Sequence, residues 1–246
     1  MTGFNAKQEV ENIVQWLREW FEKNGNDCKA VIGISGGKDS SVTAGLCVKA
    51  LGKNRVFGVL MPNGVQPDID DSVALCDFLN IDYVICNIKD AFNSVMFEVT
   101  KNFPSTEQAM TNLPARLRMA TLYCVSQSIN GRVANTCNLS EDYVGYSTRY
   151  GDTCGDFALL KSFTTEEVVA IGEELGLPDF LIHKTPSDGL CGKTDEDNLG
   201  FTYKVLNRYI RTGYIDNPEA KKKIDHLHKV NEFKERLIDR YEYLES

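Results

Sequence analysis

The sequence lacks the paired cysteines of metal-binding and disulfide-rich proteins. None of its eight cysteines belongs to a C-x-x-C pair, so neither a zinc site nor a disulfide framework is expected. Cys47 and Cys86 lie inside apolar runs, which predicts buried, reduced thiols. The cysteines are Cys28, Cys47, Cys76, Cys86, Cys124, Cys137, Cys154 and Cys191.

Long apolar segments are missing as well. The amino-terminal segment MTGFNAKQEVENIVQWLREW has no extended apolar centre, so it does not resemble a secretory signal. No run approaches the roughly 18 apolar residues of a transmembrane helix, and no membrane partner is expected. A soluble, cytoplasmic protein is therefore the expectation.

Positive charge is scarce. The 27 lysines and arginines are outnumbered by 35 aspartates and glutamates, which gives a net charge of −8. Binding to a nucleic acid depends on neutralising many phosphates, so no nucleic-acid partner is expected. A small polyphosphate can still bind if the positive groups are concentrated in one cleft.

Short β-branched runs alternate with helical patterns through the first half of the chain. The predicted strands are residues 28–35, 55–62, 82–88 and 131–138. The predicted helices are residues 10–21, 39–52 with Gly52 as C-cap, 68–80, and 106–129, where Pro114 lies in the first turns or breaks the helix. This alternation predicts an α/β fold, a Rossmann-like parallel sheet flanked by helices. Its ligand site is expected beyond the carboxyl ends of the strands.

The remainder of the chain is expected to be largely helical and to complete a single domain over residues 1–246. Thr164 and Glu167 match a capping box, and Asn217 precedes a proline at a predicted helix start. Helical spacing after Thr194 places four apolar residues on one face: Leu199, Tyr203, Leu206 and Ile210. Residues 221–246 are charged and amphipathic.

The most informative segment is S-G-G-K-D-S at residues 35–40, between a predicted strand and a predicted helix. Two glycines allow a sharp turn and close approach of backbone N–H groups to a phosphate, and the helix start favours negative charge. The spacing is neither Walker A nor G-x-G-x-x-G. Asp39 within a phosphate loop requires a cation, which predicts Mg²⁺. The alternative is a simple Gly-Gly turn before a capped helix.

This loop resembles that of the ATP-pyrophosphatases, which include NAD, GMP, argininosuccinate and asparagine synthetases and some tRNA-thiolating enzymes. The resemblance implies an adenine nucleotide alpha-hydrolase-like fold. It also implies a reaction in which a substrate oxygen attacks the α-phosphate of ATP and pyrophosphate leaves. The ATP-binding residues implied in this segment are Gly33, Ile34, Ser35, Gly36, Gly37, Lys38, Asp39, Ser40 and Ser41.

Two further segments are similar to motifs of the ammonia-dependent NAD synthetases. Residues 112–119, NLPARLRM, match N-x-x-A-R-x-R-M, and residues 136–152 are similar to T-x-x-x-x-E followed by G-Y-x-T-K-Y-G-D. The resemblance implies that Thr136 contacts adenosine and that Glu141 joins Asp39 as a catalytic Mg²⁺ ligand. The alternative for Glu141 is an acid favoured by the dipole at a helix start.

A third segment, residues 184–200, resembles the family's K-x-P-[ST]-x-x-L…G-Q-[ST]-D-E…L-G pattern, and a His-Lys pair follows at 228–229. The resemblance adds Thr165 and Ser187 to the ATP-binding set. The residues that it implies for deamido-NAD binding are Arg116, Arg149, Asp156, His228 and Lys229.

The sequence departs from the family pattern at three positions. Arg149 stands where a lysine is usual, Thr165 where a lysine contacts ATP, and Lys193 where a glutamine is usual. Arginine keeps the charge but changes its geometry. Lys161, four residues before Thr165, is a candidate to supply the missing charge.

The resemblance implies that the nicotinate carboxylate of deamido-NAD is adenylated by MgATP and then amidated by ammonia, in a homodimer. The nearest alternative is another ATP-pyrophosphatase, but thiolation of tRNA would favour paired cysteines and a basic surface. A non-catalytic nucleotide-binding protein is the other alternative. Thr165 favours that alternative, whereas the retention of both Asp39 and Glu141 argues against it.

Overall fold

The computed structural model describes residues 3–184, 195–236 and 238–242. The strands are β1 (Lys29–Gly33), β2 (Val56–Leu60), β3 (Asp82–Ile85), β4 (Gly131–Asn135) and β5 (Phe157–Ala158). The helices are α1 (Ala6–Asn24), α2 (Lys38–Leu51), α3 (Ile69–Leu79), α4 (Lys89–Thr100), α5 (Glu107–Ser128), α6 (Leu139–Val144), α7 (Thr165–Glu174), α8 (Asp179–Ile182), α9 (Asp195–Leu199), α10 (Tyr203–Thr212) and α11 (Pro218–Asn231).

The strands form one parallel sheet in the order β3-β2-β1-β4-β5. Val31 of β1 stands opposite Phe57 of β2 on one side and Val133 of β4 on the other. The four predicted strands and their parallel arrangement are confirmed. The fifth strand was not predicted, because two residues are too few to show a periodic pattern.

Helices cover both faces of the sheet, as the alternating pattern predicted. Successive residues of a strand point to opposite faces. Ile32 packs in a core shared with α1, α2 and α7, whereas Val31 packs with Leu122 of α5. Leu17 and Leu46 in the first core are completely buried, and each such side chain contributes about 1.5–3 kcal/mol relative to exposure.

The C-terminal helices form a third core around Leu206 and Ile224, both completely buried. The helical run expected after Thr194 is wrong in one respect: it ends at Leu199 and a new helix begins at Tyr203. Gly200 takes a left-handed φ of 75°, and the hydroxyl of Thr202 accepts the Val205 N–H at 3.3 Å. The predicted apolar face nevertheless packs together across this break.

The predicted caps are present. Gly52 donates its N–H to Val48 at 2.8 Å, and the Asn217 side chain accepts from two N–H groups of α11. A Glu167 carboxylate oxygen accepts the Thr164 N–H at 2.8 Å, as the capping box predicted. The predicted helix over 106–129 is confirmed and runs unbroken through Pro114.

In the described parts of the chain, no helix combines the length and apolarity needed to cross a membrane. The described cysteines are all free thiols. Four of them are buried, but Cys124 is exposed, so burial is only partly as predicted. Cys191 lies outside the described residues.

Candidate active site

The strand order creates a crevice at the carboxyl end of the sheet. From β1 the chain moves outward to β2 and β3, and then returns to the opposite side of β1 with β4 and β5. The loops after β1 and β4 therefore diverge, and such a switch point is where ligands bind in open α/β sheets. A cleft of about 730 Å³ lies there, between the loop before α2, the residues after β4 and one face of α5.

Hydrogen bonds from its own serines fix the backbone of the loop before α2. The Ser40 hydroxyl donates to the Gly37 carbonyl at 3.1 Å and accepts the Ser35 N–H at 3.3 Å. Ser41 donates to the same carbonyl at 2.8 Å. Gly37, at the N-cap, has no side chain to satisfy the first N–H groups of α2. Those groups and the positive end of the helix dipole favour an anion in the cleft.

Gly36 is the position in this loop that requires glycine. Its φ is 76°, and a Cβ there would lie 3.0 Å from the Asp71 Cβ and 3.2 Å from the Ser72 backbone nitrogen. The loop thus passes directly over the start of α3. A larger residue would both strain the backbone and push the loop away.

Two predicted carboxylates and a lysine meet at the base of the cleft. Lys38, only 6% exposed, places its ammonium 2.8 Å from Asp39. Burial, and then the neighbouring charge of Asp39, raises the pKa of the Glu141 carboxyl to about 8, although Lys38 acts in the opposite direction. Asp195 and Asp142 also raise this pKa. The cleft therefore carries more buried negative charge than Lys38 compensates.

This donor set fits Mg²⁺. Mg²⁺ takes one or two carboxylates and completes its shell with water and substrate phosphates. The cleft supplies Asp39 and Glu141 beside the phosphate loop. Among the described residues no group of three acidic, histidine or cysteine side chains is placed to hold a metal ion.

Asn138 ties the two carboxylates together. Its side chain is completely buried and donates to Asp39 Oδ1 at 3.0 Å. The same side chain caps α6, because its oxygen accepts the N–H groups of Ser140 at 3.0 Å and Glu141 at 3.1 Å. One residue therefore fixes the position of Asp39 relative to the helix that carries Glu141.

We expect Asn138→Ser to separate these two roles. Serine still caps a helix, so the melting temperature should stay within a few degrees of the wild-type value. The bond to Asp39 is lost, and a charge-assisted bond of this kind corresponds to about a tenfold or larger effect. The Mg²⁺ concentration for half-maximal thermal stabilisation with a non-hydrolysable ATP analogue should rise about tenfold. An unchanged Mg²⁺ requirement in this variant would contradict the positioning role.

Most predicted ATP-binding residues line the cleft. They are Gly33, Ile34, Ser35, Gly37, Lys38, Asp39, Ser40 and Thr136. Gly36 and Ser41 belong to the same loop but face α3 and the Gly37 carbonyl. Ser187 lies outside the described residues.

Thr165 does not line the cleft. It is 5% exposed, and its hydroxyl and the Asn207 side-chain amide bond each other at 2.9 Å. Ser140 joins them, donating to Asn207 at 2.6 Å and accepting the Thr165 N–H at 3.1 Å. Lys161, the other candidate, pairs with Asp142 at 2.8 Å and with Glu235 and does not line the cleft. The structure thus places Thr165 in a buried polar network between α6, α7 and α10.

We expect Thr165→Val to lower stability rather than ATP affinity. The substitution leaves the Asn207 amide without its partner inside the protein, which costs about 1–3 kcal/mol. For a chain of this length the melting temperature should fall by several degrees. The KM for ATP should remain within about twofold of wild type. A raised KM for ATP at unchanged melting temperature would instead assign Thr165 to the ATP site.

The predicted dinucleotide-binding residues do not line the cleft. Arg116 is exposed and donates to the Arg149 carbonyl at 3.3 Å, and the Arg149 guanidinium lies over the rings of Tyr150 and Phe233. His228 stacks on Tyr143 and bonds its carbonyl. Lys229 is exposed on α11.

The Asp156 carboxylate links strand β4 to helix α5. Its carboxylate accepts the Val133 N–H at 2.7 Å and the Tyr123 hydroxyl at 3.2 Å. Neither Asp156 nor the four basic residues joins the carboxylates at the base of the cleft.

Sequence reasoning missed two residues of the site, Asn138 and Arg118. Both stand inside motifs that were recognised, and both are placed by α-helices or loops whose orientation no local pattern gives. Arg118 lines the cleft, whereas Arg116, two residues earlier, does not. Which of the two faces inward depends on the packing of α5 against the sheet.

The parallel sheet, its switch-point cleft and the glycine-rich loop before α2 are those of an α/β nucleotide-binding fold. More specifically, the chain belongs to the NAD synthase family, which matches residues 9–244. Similar curated proteins named NH(3)-dependent NAD(+) synthetase occur in Finegoldia magna and Methanocaldococcus jannaschii. The first is 36% identical over 241 residues, 97% of this chain and 98% of that protein. The second is 38% identical over 215 residues, which span 85% of this chain and 82% of that protein.

Solved structures agree on the fold. An NMN synthetase from Francisella tularensis is 31% identical, with a TM-score of 0.90 over 98% of this chain and 100% of that chain. An NH3-dependent NAD synthetase from Campylobacter jejuni, in complex with the nitrate ion, is 28% identical. Its TM-score is 0.80 over 98% of this chain and 100% of that chain.

Proposed function

We propose that this chain is a ligase that uses MgATP and ammonia to convert deamido-NAD to NAD, with release of AMP and pyrophosphate. The observation that carries the proposal is the meeting of Asp39, Glu141 and the open start of α2 in one cleft. Membership of the NAD synthase family supports the choice of reaction.

The reaction has two steps. A nicotinate carboxylate oxygen attacks the α-phosphorus of ATP, the bond to the bridging oxygen breaks, and pyrophosphate leaves with the electron pair. Ammonia then attacks the acyl carbon, AMP leaves, and one proton is released. Oxide is a poor leaving group and AMP a good one, which is why ATP is required.

The residues of the cleft hold and orient the reacting groups. The loop before α2 binds the triphosphate, and its N–H groups face the charge that develops on pyrophosphate. Mg²⁺, which Asp39 and Glu141 would hold, supplies charge neutralisation on the phosphate oxygens. Asn138 keeps the two carboxylates in register. None of these steps requires a nucleophilic protein side chain.

A second substrate candidate is nicotinate mononucleotide, which would be converted to nicotinamide mononucleotide by the same chemistry. The observation that favours it is the TM-score of 0.90 with the Francisella protein named NMN synthetase, against 0.80 with the Campylobacter NAD synthetase. The two substrates share the pyridine carboxylate and differ only in the adenylate half.

The test is to incubate the purified chain with MgATP, ammonium and either nucleotide, and to measure the amide product and AMP. Equimolar NAD and AMP, dependent on both ammonium and Mg²⁺, are expected, with a higher kcat/KM for deamido-NAD. A higher value for the mononucleotide would move the proposal to that substrate. ATP binding without AMP formation from either nucleotide would indicate a non-catalytic nucleotide-binding protein.

The proposed enzyme is a homodimer that associates through α4 and the start of α5. This surface exposes Phe97 at 63%, Phe103 at 67% and Met110 at 43%. None of the residues of α4 is buried within the chain. Sedimentation equilibrium tests the proposal, and a monomer at micromolar concentration would contradict it.

A further inference from the structure

Among the described residues, one cation that lines the cleft forms no ion pair with a carboxylate. Three basic side chains line the cleft: Lys38, Arg118 and Lys184. Lys38 pairs with Asp39 at 2.8 Å, and Lys184 lies 2.7 Å from both Asp68 and Asp71.

Arg118 has no such partner, and the nearby charge of Asp152, which also lines the cleft, acts on it without an ion pair. Within the part of the chain that the structure describes, no carboxylate oxygen lies within 4.0 Å of its guanidinium. Among the three lining cations it is therefore the one whose charge is available to a bound anion.

The guanidinium is held in place from one side only. Arg118 Nε donates to the Met61 carbonyl at 3.0 Å, just beyond the end of β2. This bond fixes the direction of the planar group, while its two terminal nitrogens make no hydrogen bond to described residues. Partial burial removes much of the surrounding water, yet an arginine remains charged in proteins. A fixed, charged fork with free donors matches the geometry of a carboxylate.

The wall around Arg118 is apolar. Ala115, Met119 and Leu122 follow the same face of α5 into the cleft, with Met61 beside them. Leu122 and Met61 approach Gly33 at the end of β1. A flat ring can lie against such a surface, with an anionic substituent directed at the guanidinium. In the proposed function the loop and the start of α2 already provide the hydrogen-bond donors for the triphosphate.

On the basis of the proposed function, we infer that Arg118 binds the carboxylate of the pyridine nucleotide substrate and makes the cleft select the acid over the amide. The substrate carries a carboxylate at this point, whereas the product carries a neutral carboxamide. A bidentate guanidinium–carboxylate pair loses its charge assistance when the carboxylate becomes an amide. Arg118 therefore favours binding of substrate and release of product.

The experiment compares Arg118→Gln and Arg118→Lys with Arg208→Gln, a control at an exposed arginine that pairs with Asp216 on the surface. Dissociation constants are measured by calorimetry for MgATP alone, and for deamido-NAD and NAD in the presence of a non-hydrolysable ATP analogue. In Arg118→Gln, affinity for deamido-NAD should fall about 10- to 100-fold, as expected for loss of a charge-assisted bond. Affinities for NAD and MgATP should stay within about threefold. The affinity of Arg118→Lys for deamido-NAD should lie between those of wild type and Arg118→Gln, since lysine keeps the charge but not the planar fork.

Retention of the wild-type preference for acid over amide in folded Arg118→Gln would overturn the inference, as would a loss confined to MgATP affinity. MgATP binding shows that the cleft of each variant is folded, and the lysine variant provides the test if the glutamine variant is unstable. Wild-type turnover is measured first with both nucleotides, and the binding series uses the acid and amide of the preferred one. No turnover in the wild type contradicts the proposed function, whereas normal turnover with an unchanged acid preference contradicts only the role of Arg118.

Discussion

Replacing Glu141 with glutamine is expected to lower AMP formation by about 10²- to 10³-fold, in the range seen when one group that stabilises transition-state charge is removed. The amide keeps the size of the side chain but removes the negative charge that would hold Mg²⁺ beside the phosphate loop. Stability should respond in the opposite direction. Folding raises the pKa of this carboxyl from 4.5 to about 8, so the ionised side chain destabilises the folded state and stability is lost as pH rises through this range. Glutamine cannot ionise. The melting temperature of the variant at pH 8 should therefore equal or exceed that of wild type.

The measurements are ATP–pyrophosphate exchange in the presence of the pyridine nucleotide and thermal melting of the ligand-free protein. Glu174→Gln, an exposed glutamate at the end of α7, is the matched control and should retain both wild-type values. Exchange near the wild-type rate in Glu141→Gln would remove Glu141 from the metal site. A large fall in melting temperature would show that the carboxylate is structural instead.

Replacing Gly36 with alanine is expected to raise the KM for ATP by at least about tenfold. A left-handed backbone costs a non-glycine residue about 1–2 kcal/mol. The added Cβ would also lie 3.0 Å from the Asp71 Cβ and 3.2 Å from the Ser72 nitrogen, too close for the loop to keep its place. The loop must then move toward the cleft and away from the position that its serines define. A displacement of about 1 Å in a positioning group is enough to cost orders of magnitude in rate.

Gly176→Ala separates backbone strain from this close approach. Gly176 has a similar φ of 68°, but no atom lies within 4 Å of a Cβ built there. Both variants should lose a few degrees of melting temperature. Only Gly36→Ala should change the KM for ATP, measured by AMP formation at saturating pyridine nucleotide. Equal KM values in the two variants would show that the contact with α3 does not position the phosphate loop.

The central architecture could be predicted from the sequence because its three central strands, β1, β2 and β4, are largely buried on both faces. Residues 30–34 form a continuous run without polar side chains, and a helical pattern follows them. The elements that were not predicted have weak local signals. Helix α4 buries none of its residues within the chain, and β5 contains only two residues. The break between α9 and α10 depends on the left-handed φ of Gly200, which glycine permits but does not require.

The candidate site could be predicted as far as its motifs are local. The S-G-G-K-D-S loop predicted an open helix start, and Asp39 and Glu141 do line the same cleft. The direction in which each side chain points could not be predicted from the sequence. Thr165 was expected at ATP, yet its hydroxyl bonds Asn207, 42 residues further along the chain. Arg118 belongs to a motif of the sequence, but its place in the cleft follows from the packing of α5 against β1 and β4.

The central claim is that the pyridine carboxylate is activated by transfer of AMP. Deamido-NAD labelled with ¹⁸O in both carboxylate oxygens should be converted with MgATP and ammonium, and the products examined by mass spectrometry. One ¹⁸O is expected in each AMP, one in the carboxamide of each NAD, and none in pyrophosphate. AMP without label, or label in pyrophosphate, would contradict attack of the carboxylate on the α-phosphorus.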